Sequence, residues 1–183
     1  MTASLSYPAH ACRTSADVSR RYARAMADQE RVDPLVVDCA VRNLTAQYCD
    51  AVARNDGDLF VSLWTSGADW VAAGHVTSGR DRIARVFAKL RGGYVLCTQE
   101  LMSGYVVPFH SVDGPAAHAR WQIRELQWKT DAPVSCVLGI YSDHLVVEDG
   151  SWRFARRQFD ILYRGPVDLT GHVTPIPTIT LTA

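Results

Sequence analysis

The 183-residue chain is 48% hydrophobic and 21% charged, a mixture that suits one soluble globular domain and argues against general disorder or a fibrous protein. Its 19 basic residues balance 19 acidic ones, so no excess of cations exists to displace phosphate counterions, and nucleic acid is not an expected partner. No run approaches the roughly 20 apolar residues that span a bilayer, so no membrane partner is expected either.

Residues 1–33 are rich in Arg, Ala, Ser and Asp and read as an N-terminal arm. Ser15 to Glu30 can be written as a helix with a polar surface almost all round. Such a helix is weak alone and needs another surface, such as a second subunit; otherwise the segment is a mobile arm. The main domain is expected over 34–165. Asp33-Pro34 opens it as a helix start, with Val37, Val41, Leu44, Tyr48 and Val52 at helical spacing to about Arg54. Asn55-Asp56-Gly57-Asp58 breaks that helix, and a short one over Leu59 to Trp64 follows. Ala68 to Ala73 suggests a short strand. Ser78-Gly79-Arg80-Asp81 fits a capping box for a helix carrying Ile83, Val86, Phe87 and Leu90, which Gly92-Gly93 ends.

The period then changes from helical to alternating. Four extended runs, Val95–His110, Ala116–Trp128, Val134–Glu148 and Trp152–Tyr163, are separated by the turn formers Asp113-Gly114, Asp131-Ala132-Pro133 and Asp149-Gly150. Helices first and strands afterwards predict an α+β domain in which a curved antiparallel meander wraps the helices. Residues 166–183, with three prolines and many threonines, read as an extended tail.

Five cysteines (Cys12, Cys39, Cys49, Cys97, Cys136) form no Cys-x-x-Cys pair and have no His-x-x-x-His companion. This predicts neither a zinc site nor a disulfide framework, and it fits a reducing compartment. The opening MTASLSYPAH has no basic region before an apolar run, so a cytoplasmic location is expected.

Alternation assigns the inward faces. On the first long run Cys97, Gln99, Leu101, Ser103, Tyr105, Val107 and Phe109 share the more apolar side. On the second, Ala117, Ala119, Trp121, Ile123, Glu125 and Gln127 do so. Glu125 stands out: a carboxyl group that trades hydration for apolar surroundings is suited to proton transfer, unless the strand frays outward after Ile123. On the third run Val137, Gly139, Tyr141, Asp143, Leu145 and Val147 lie together, while the opposite side is equally apolar. That pattern marks a central strand or one in a subunit interface. Ser135 and Gly139 would leave room for a ligand beside Tyr141 and Asp143, which either handle protons or tie into buried hydrogen bonds. Arg157 interrupts the apolar side of Ala155, Phe159, Ile161 and Tyr163. It needs an anion, which Asp143, Glu125 or an acidic or carbonyl group of a substrate would supply. His75 follows Gly74 in a loop that could border a pocket mouth. With His110, His118 and His144 it is read as solvated or structurally bonded.

Three segments stand out: Tyr48-Cys49-Asp50-Ala51-Val52-Ala53-Arg54-Asn55-Asp56 in the first helix, Gly79-Arg80-Asp81-Arg82-Ile83 in the third, and a closing hairpin. That hairpin runs from Gly139-Ile140-Tyr141-Ser142-Asp143 through Asp149-Gly150-Ser151-Trp152-Arg153-Phe154. Together they resemble the SnoaL-like proteins of the nuclear-transport-factor-two-like superfamily. The resemblance covers residues 35–163 and implies a cone-shaped α+β barrel with an apolar pocket between helices and sheet. It also implies a family of cyclases, dehydratases, isomerases and epoxide hydrolases, most of them cofactor-free, besides noncatalytic modules. The last hairpin is similar to that of scytalone-dehydratase-like members, but their catalytic groups do not carry over. Their first-helix aspartate falls at Ala53, their histidines at Gln99 and near Gln127, their asparagine at Tyr141 and a pocket tyrosine near Trp70. Asp50, one turn before Ala53, reaches the pocket from a shifted position or stays on the surface.

The sequence therefore predicts a cofactor-free, metal-free lyase or isomerase, such as a polyketide cyclase, acting on a small apolar metabolite as a homodimer or higher oligomer. Glu125, Asp143 or Asp50 would be the base and Tyr141 the acid or oxyanion donor. Gln99, Gln127 and Arg157 would hold the substrate, between walls of Trp70, Tyr105 and Trp121. The competing expectation is a noncatalytic binding or assembly module, such as the partner of an oxygenase.

Overall fold

The structure, a computed structural model, describes residues 33–168 and the backbone of residues 172 and 173. The expected N-terminal arm and most of the expected tail lie outside the described residues.

Helix α1 (Pro34–Arg54) buries Val37, Val41, Leu44, Tyr48 and Val52, the stripe its spacing predicts. It ends at Asn55, whose φ of 56° is one that asparagine tolerates. Asp56 caps α2 (Gly57–Ser62), its side chain accepting from the Leu59 amide at 2.9 Å. The second helix thus starts two residues before the predicted span, and Trp64 belongs to the next element. That element, β1 (Trp64–Ala72), turns through Ala73-Gly74 into β2 (His75–Ser78), a strand too short and polar to show in the sequence. The predicted capping box before α3 (Arg80–Arg91) does not form. Ser78 instead donates to Asp69 at 2.6 Å across the β1–β2 pair, and Gly79, at φ 87°, is the cap residue.

Strands β3 (Tyr94–Ser111), β4 (Gly114–Lys129), β5 (Ala132–Glu148) and β6 (Ser151–Pro166) form the expected antiparallel meander. The mixed sheet runs β2–β1–β6–β5–β4–β3, with β1 parallel to β6 and a short β7 (His172–Val173) pairing the end of β6. β5 is therefore central, which accounts for its two apolar faces. An aromatic core joins the helices to the sheet: Phe60 stacks on Phe87 at 3.8 Å, and Trp64 lies 5.4 Å from Phe154.

Two bulged strands change which side chains face the helices. Leu101 pairs with Ile123 but Ser103 pairs with Gln122, so Met102 is an extra residue and the phase of β3 inverts beyond it. Gly104 then faces inward beside Trp121, where a Cβ would overlap the indole, while Tyr105 turns outward and is 49% exposed. On β6, Ala155 and Leu162 are the extra residues, so Phe154 rather than Ala155 continues the inward row.

On the face away from the helices His118 pairs with His144, their rings 5.2 Å apart, and Phe109 stacks on His118 at 4.8 Å. Burial, and then the neighbouring His118, lower the pKa of His144 from its ordinary value. As pH falls through about 6.5, the unfolded chain takes up a proton that folded His144 resists, so stability falls with it. Urea denaturation at about pH 7.5 and about pH 5.5 checks this: His144→Gln should narrow the difference between the two midpoints. An undiminished difference would place the acid sensitivity elsewhere.

Candidate active site

A cavity of about 480 Å³ opens between α1, α3 and the hollow of the sheet. Tyr48 and Val52 reach it from α1, Trp70 from β1 and Phe87 from α3. Gln99, Glu125, Gln127, Tyr141 and Phe159 supply the sheet side, and His75 stands at the rim.

Glu125 does not fray into solvent. It is 9% exposed, because Ile123, Glu125 and Gln127 continue one inward row of β4. One carboxylate oxygen accepts from Gln99 Nε2 at 2.6 Å, and the other accepts from Gln127 Nε2. Ser135 steadies Gln127 by donating to its Oε1 at 3.3 Å. The same Gln99 nitrogen donates to the Tyr141 hydroxyl at 2.9 Å, so one amide ties the carboxylate to the phenol. Gln99 Oε1 is buried without a partner. Tyr141 packs edge-on against Tyr48, their ring centres 5.7 Å apart. Burial holds the pKa of both phenols above the ordinary value, so each stays protonated at neutral pH. The arrangement offers a carboxylate acceptor beside a phenol donor, each with a fixed partner.

Asp143 and Arg157 are brought together, but beneath the cavity rather than in it. Asp143 is 3% exposed and Arg157 fully buried, and neither lines the cavity. Arg157 Nε and Nη2 donate to the two Asp143 oxygens at 2.8 and 2.9 Å, and Trp121 Nε1 donates to Oδ2 at 3.0 Å. The carboxylate is fully engaged, which corrects its expected role as a base, and the guanidinium has its anion inside the protein. Burial opposes the Asp143 charge, but three N–H donors hold it, and Asp143 in turn raises the pKa of Arg157. Arg157 also lies 4.0 Å from the Tyr141 ring centre and 4.2 Å from that of Tyr48. The pair is thus a platform under the two phenols.

Other expected site residues are elsewhere. Asp50 is exposed and pairs with Arg54 at 3.0 Å. Trp121 lies behind Gly104, committed to Asp143, and Tyr105 faces outward. The space expected beside Gly139 is filled, since a Cβ there would overlap the Phe159 ring. Trp70, Gln99 and Gln127 do line the cavity. Cys97 lines it too, but burial and then Glu125 push its thiol up to about 12, so it is no nucleophile. The cavity is not uncharged: Arg91, Lys129 and Arg164 also line it. Helical spacing signals Tyr48; the three cations carry no sequence signal, since each sits at the end of an element where charge is ordinary. Among the described residues no three His, Cys, Asp or Glu side chains are placed to hold a metal ion, and no helix is long and apolar enough to cross a membrane.

Helices laid into a curved, unclosed mixed sheet, with a cavity between the layers, define the cone-shaped α+β fold of the nuclear-transport-factor-two-like proteins. The family model of the SnoaL-like domain matches residues 37–158, more than half of the chain, and the chain belongs to that family. Among solved structures it is similar to a candidate scytalone dehydratase of Novosphingobium aromaticivorans DSM 12444. That match has 18% identity and a TM-score of 0.67, and covers 80% of this chain and 97% of the other. The hexachlorocyclohexane dehydrochlorinase LinA-type3 of Novosphingobium barchaimii LL02 matches at 15% identity and TM-score 0.60, covering 87% and 99%. A candidate dehydratase of the same superfamily from Streptomyces avermitilis matches at 18% and 0.57, covering 66% and 92%. At these identities the likeness is one of fold. No curated protein matches the chain significantly.

Proposed function

We propose that the protein is a cofactor-free lyase or isomerase that moves a proton on a small, largely apolar metabolite, polyketide- or terpenoid-like, bound in this cavity. Glu125 is the general base. Tyr141 donates a hydrogen bond to the oxygen on which charge develops, and Gln99 and Gln127 hold the carboxylate in place. One observation carries this reading: Glu125 is the sole carboxylate lining the cavity among the described residues, and its two oxygens are oriented by two side-chain amides, Gln99 and Gln127. Proton transfer between a carboxylate and a carbon acid beside a phenol requires neither a metal nor a redox group. That enzymes share the fold, a dehydrochlorinase among them, agrees with the reading.

The second reading, a noncatalytic binding or assembly module, draws on the absence of an aspartate–histidine pair from the cavity lining. One reporter separates the two. In 5-nitrobenzisoxazole a base removes the ring C–H proton as the N–O bond breaks, leaving a coloured nitrophenolate. The base reading expects saturable acceleration over the buffer reaction that depends on Glu125. A module would bind the reporter without accelerating it, and that result would overturn the catalytic reading.

A further inference from the structure

The cavity that we read as the substrate site holds three cations against one carboxylate. Arg91 ends α3, Lys129 ends β4 and Arg164 lies near the end of β6, and all three line the cavity. Among the described residues none of them forms an ion pair. Two of them flank one ring: the Arg91 guanidinium lies 5.0 Å from the centre of Tyr94 and the Lys129 ammonium 4.9 Å from it.

Arg91 is the unusual member. It is only 6% exposed, and its Nε is buried with no hydrogen-bond partner. The carbonyl end of α3 and the Tyr94 ring offset part of the cost of burying that charge. They leave one N–H donor unsatisfied, at a site where two further cations repel it. An anion is the group that would satisfy all three. Val52, Trp70, Phe87 and Phe159 line the remainder of the cavity with apolar surface.

From this arrangement we infer that the ligand is amphiphilic: an apolar, ring-sized body whose anionic head group, a carboxylate or phosphate, is held by Arg91, Lys129 and Arg164. The inference rests on the proposed reading of the cavity and narrows the metabolite from apolar to acidic. The balanced charge of the whole chain hides this local excess.

Calorimetric titration of the intact protein with 2-naphthoate, 2-naphthyl phosphate and the neutral 2-naphthylmethanol tests it. One or both anions should bind at least about tenfold more tightly than the alcohol, as one charge-assisted hydrogen bond would provide. Which of them binds better tells a carboxylate from a phosphate site. Added salt should weaken the anions and spare the alcohol. The preference should vanish in Arg91→Met and shrink in the double variant Lys129→Met with Arg164→Met, whose exposed side chains leave folding intact if Arg91→Met does not fold. Equal binding of anion and alcohol, binding of neither, or a preference undiminished in the double variant would overturn the inference. Equal binding with Glu125-dependent turnover would sink the anion site and leave the proposed function standing. Anion preference without turnover would do the reverse.

Discussion

Arg157→Met is expected to lower stability by about 3–5 kcal/mol, the usual cost of removing one partner of a buried ion pair. The side chain is fully buried, and both of its bonds to Asp143 are bidentate in geometry. Its loss leaves Asp143 with Trp121 Nε1 alone, and it removes the surface on which Tyr48, Tyr141 and Phe154 rest at 4.2, 4.0 and 4.1 Å. The pH dependence has a definite sign. Burial already pushes the Asp143 pKa up, and removing Arg157 takes away the charge that opposes this. In the variant the folded state then binds a proton more tightly than the unfolded chain, so its stability falls as pH rises above about 4. The deficit relative to wild type should be largest at neutral pH and shrink toward that value. The double variant Asp143→Leu with Arg157→Met should recover much of the loss, because no lone charge remains buried. Urea denaturation of wild type and the two variants decides the matter. A single variant that costs under about 1 kcal/mol would mean that water reaches the pair.

The ion pair also shows what the sequence can and cannot reveal. An arginine on an apolar strand face demands an anion, and Asp143 on the next strand is one of the two acids the pattern offers. What alternation cannot supply is depth: the pair lies under the cavity floor, so a carboxylate legible as a base is instead a support. The meander, the helix stripe and the central position of β5 are legible because each is a periodic burial pattern repeated over many residues. Tyr105 is misplaced for a local reason. The extra residue at Met102 shifts the β3 register by one, and a shift of one exchanges inside for outside. Nothing about Met102 marks a bulge in isolation. It follows from pairing with β4, a long-range fact. The inward Gly104 is a consequence of the same shift, as its missing Cβ admits Trp121. Glu125, by contrast, precedes no irregularity on its own strand until Trp128, so alternation carries it inward correctly.

Glu125→Gln should reduce the acceleration of 5-nitrobenzisoxazole breakdown by about 10²–10⁴-fold, the range spanned by a positioned general base. The substitution keeps size and shape, and Gln99 and Gln127 can rotate their amides to bond the new side chain. Binding of the reporter should therefore change little while the chemical step is lost, so the effect falls on kcat rather than KM. Tyr141→Phe should cost less, about tenfold to a hundredfold. The phenol, kept protonated by its burial, aids only by hydrogen bonding to the departing oxygen. Gln99→Leu provides the sharper discrimination. Gln99 bonds both Glu125 and Tyr141, so its removal unties the two groups without deleting either. If they act as a unit, adding Tyr141→Phe to Gln99→Leu should cost less than the separate effects predict, because the phenol has already lost its orientation. Strict additivity would mean that the two groups work independently. Activity retained in Glu125→Gln would remove the carboxylate from the mechanism, and with it the reason for holding both its oxygens with side-chain amides.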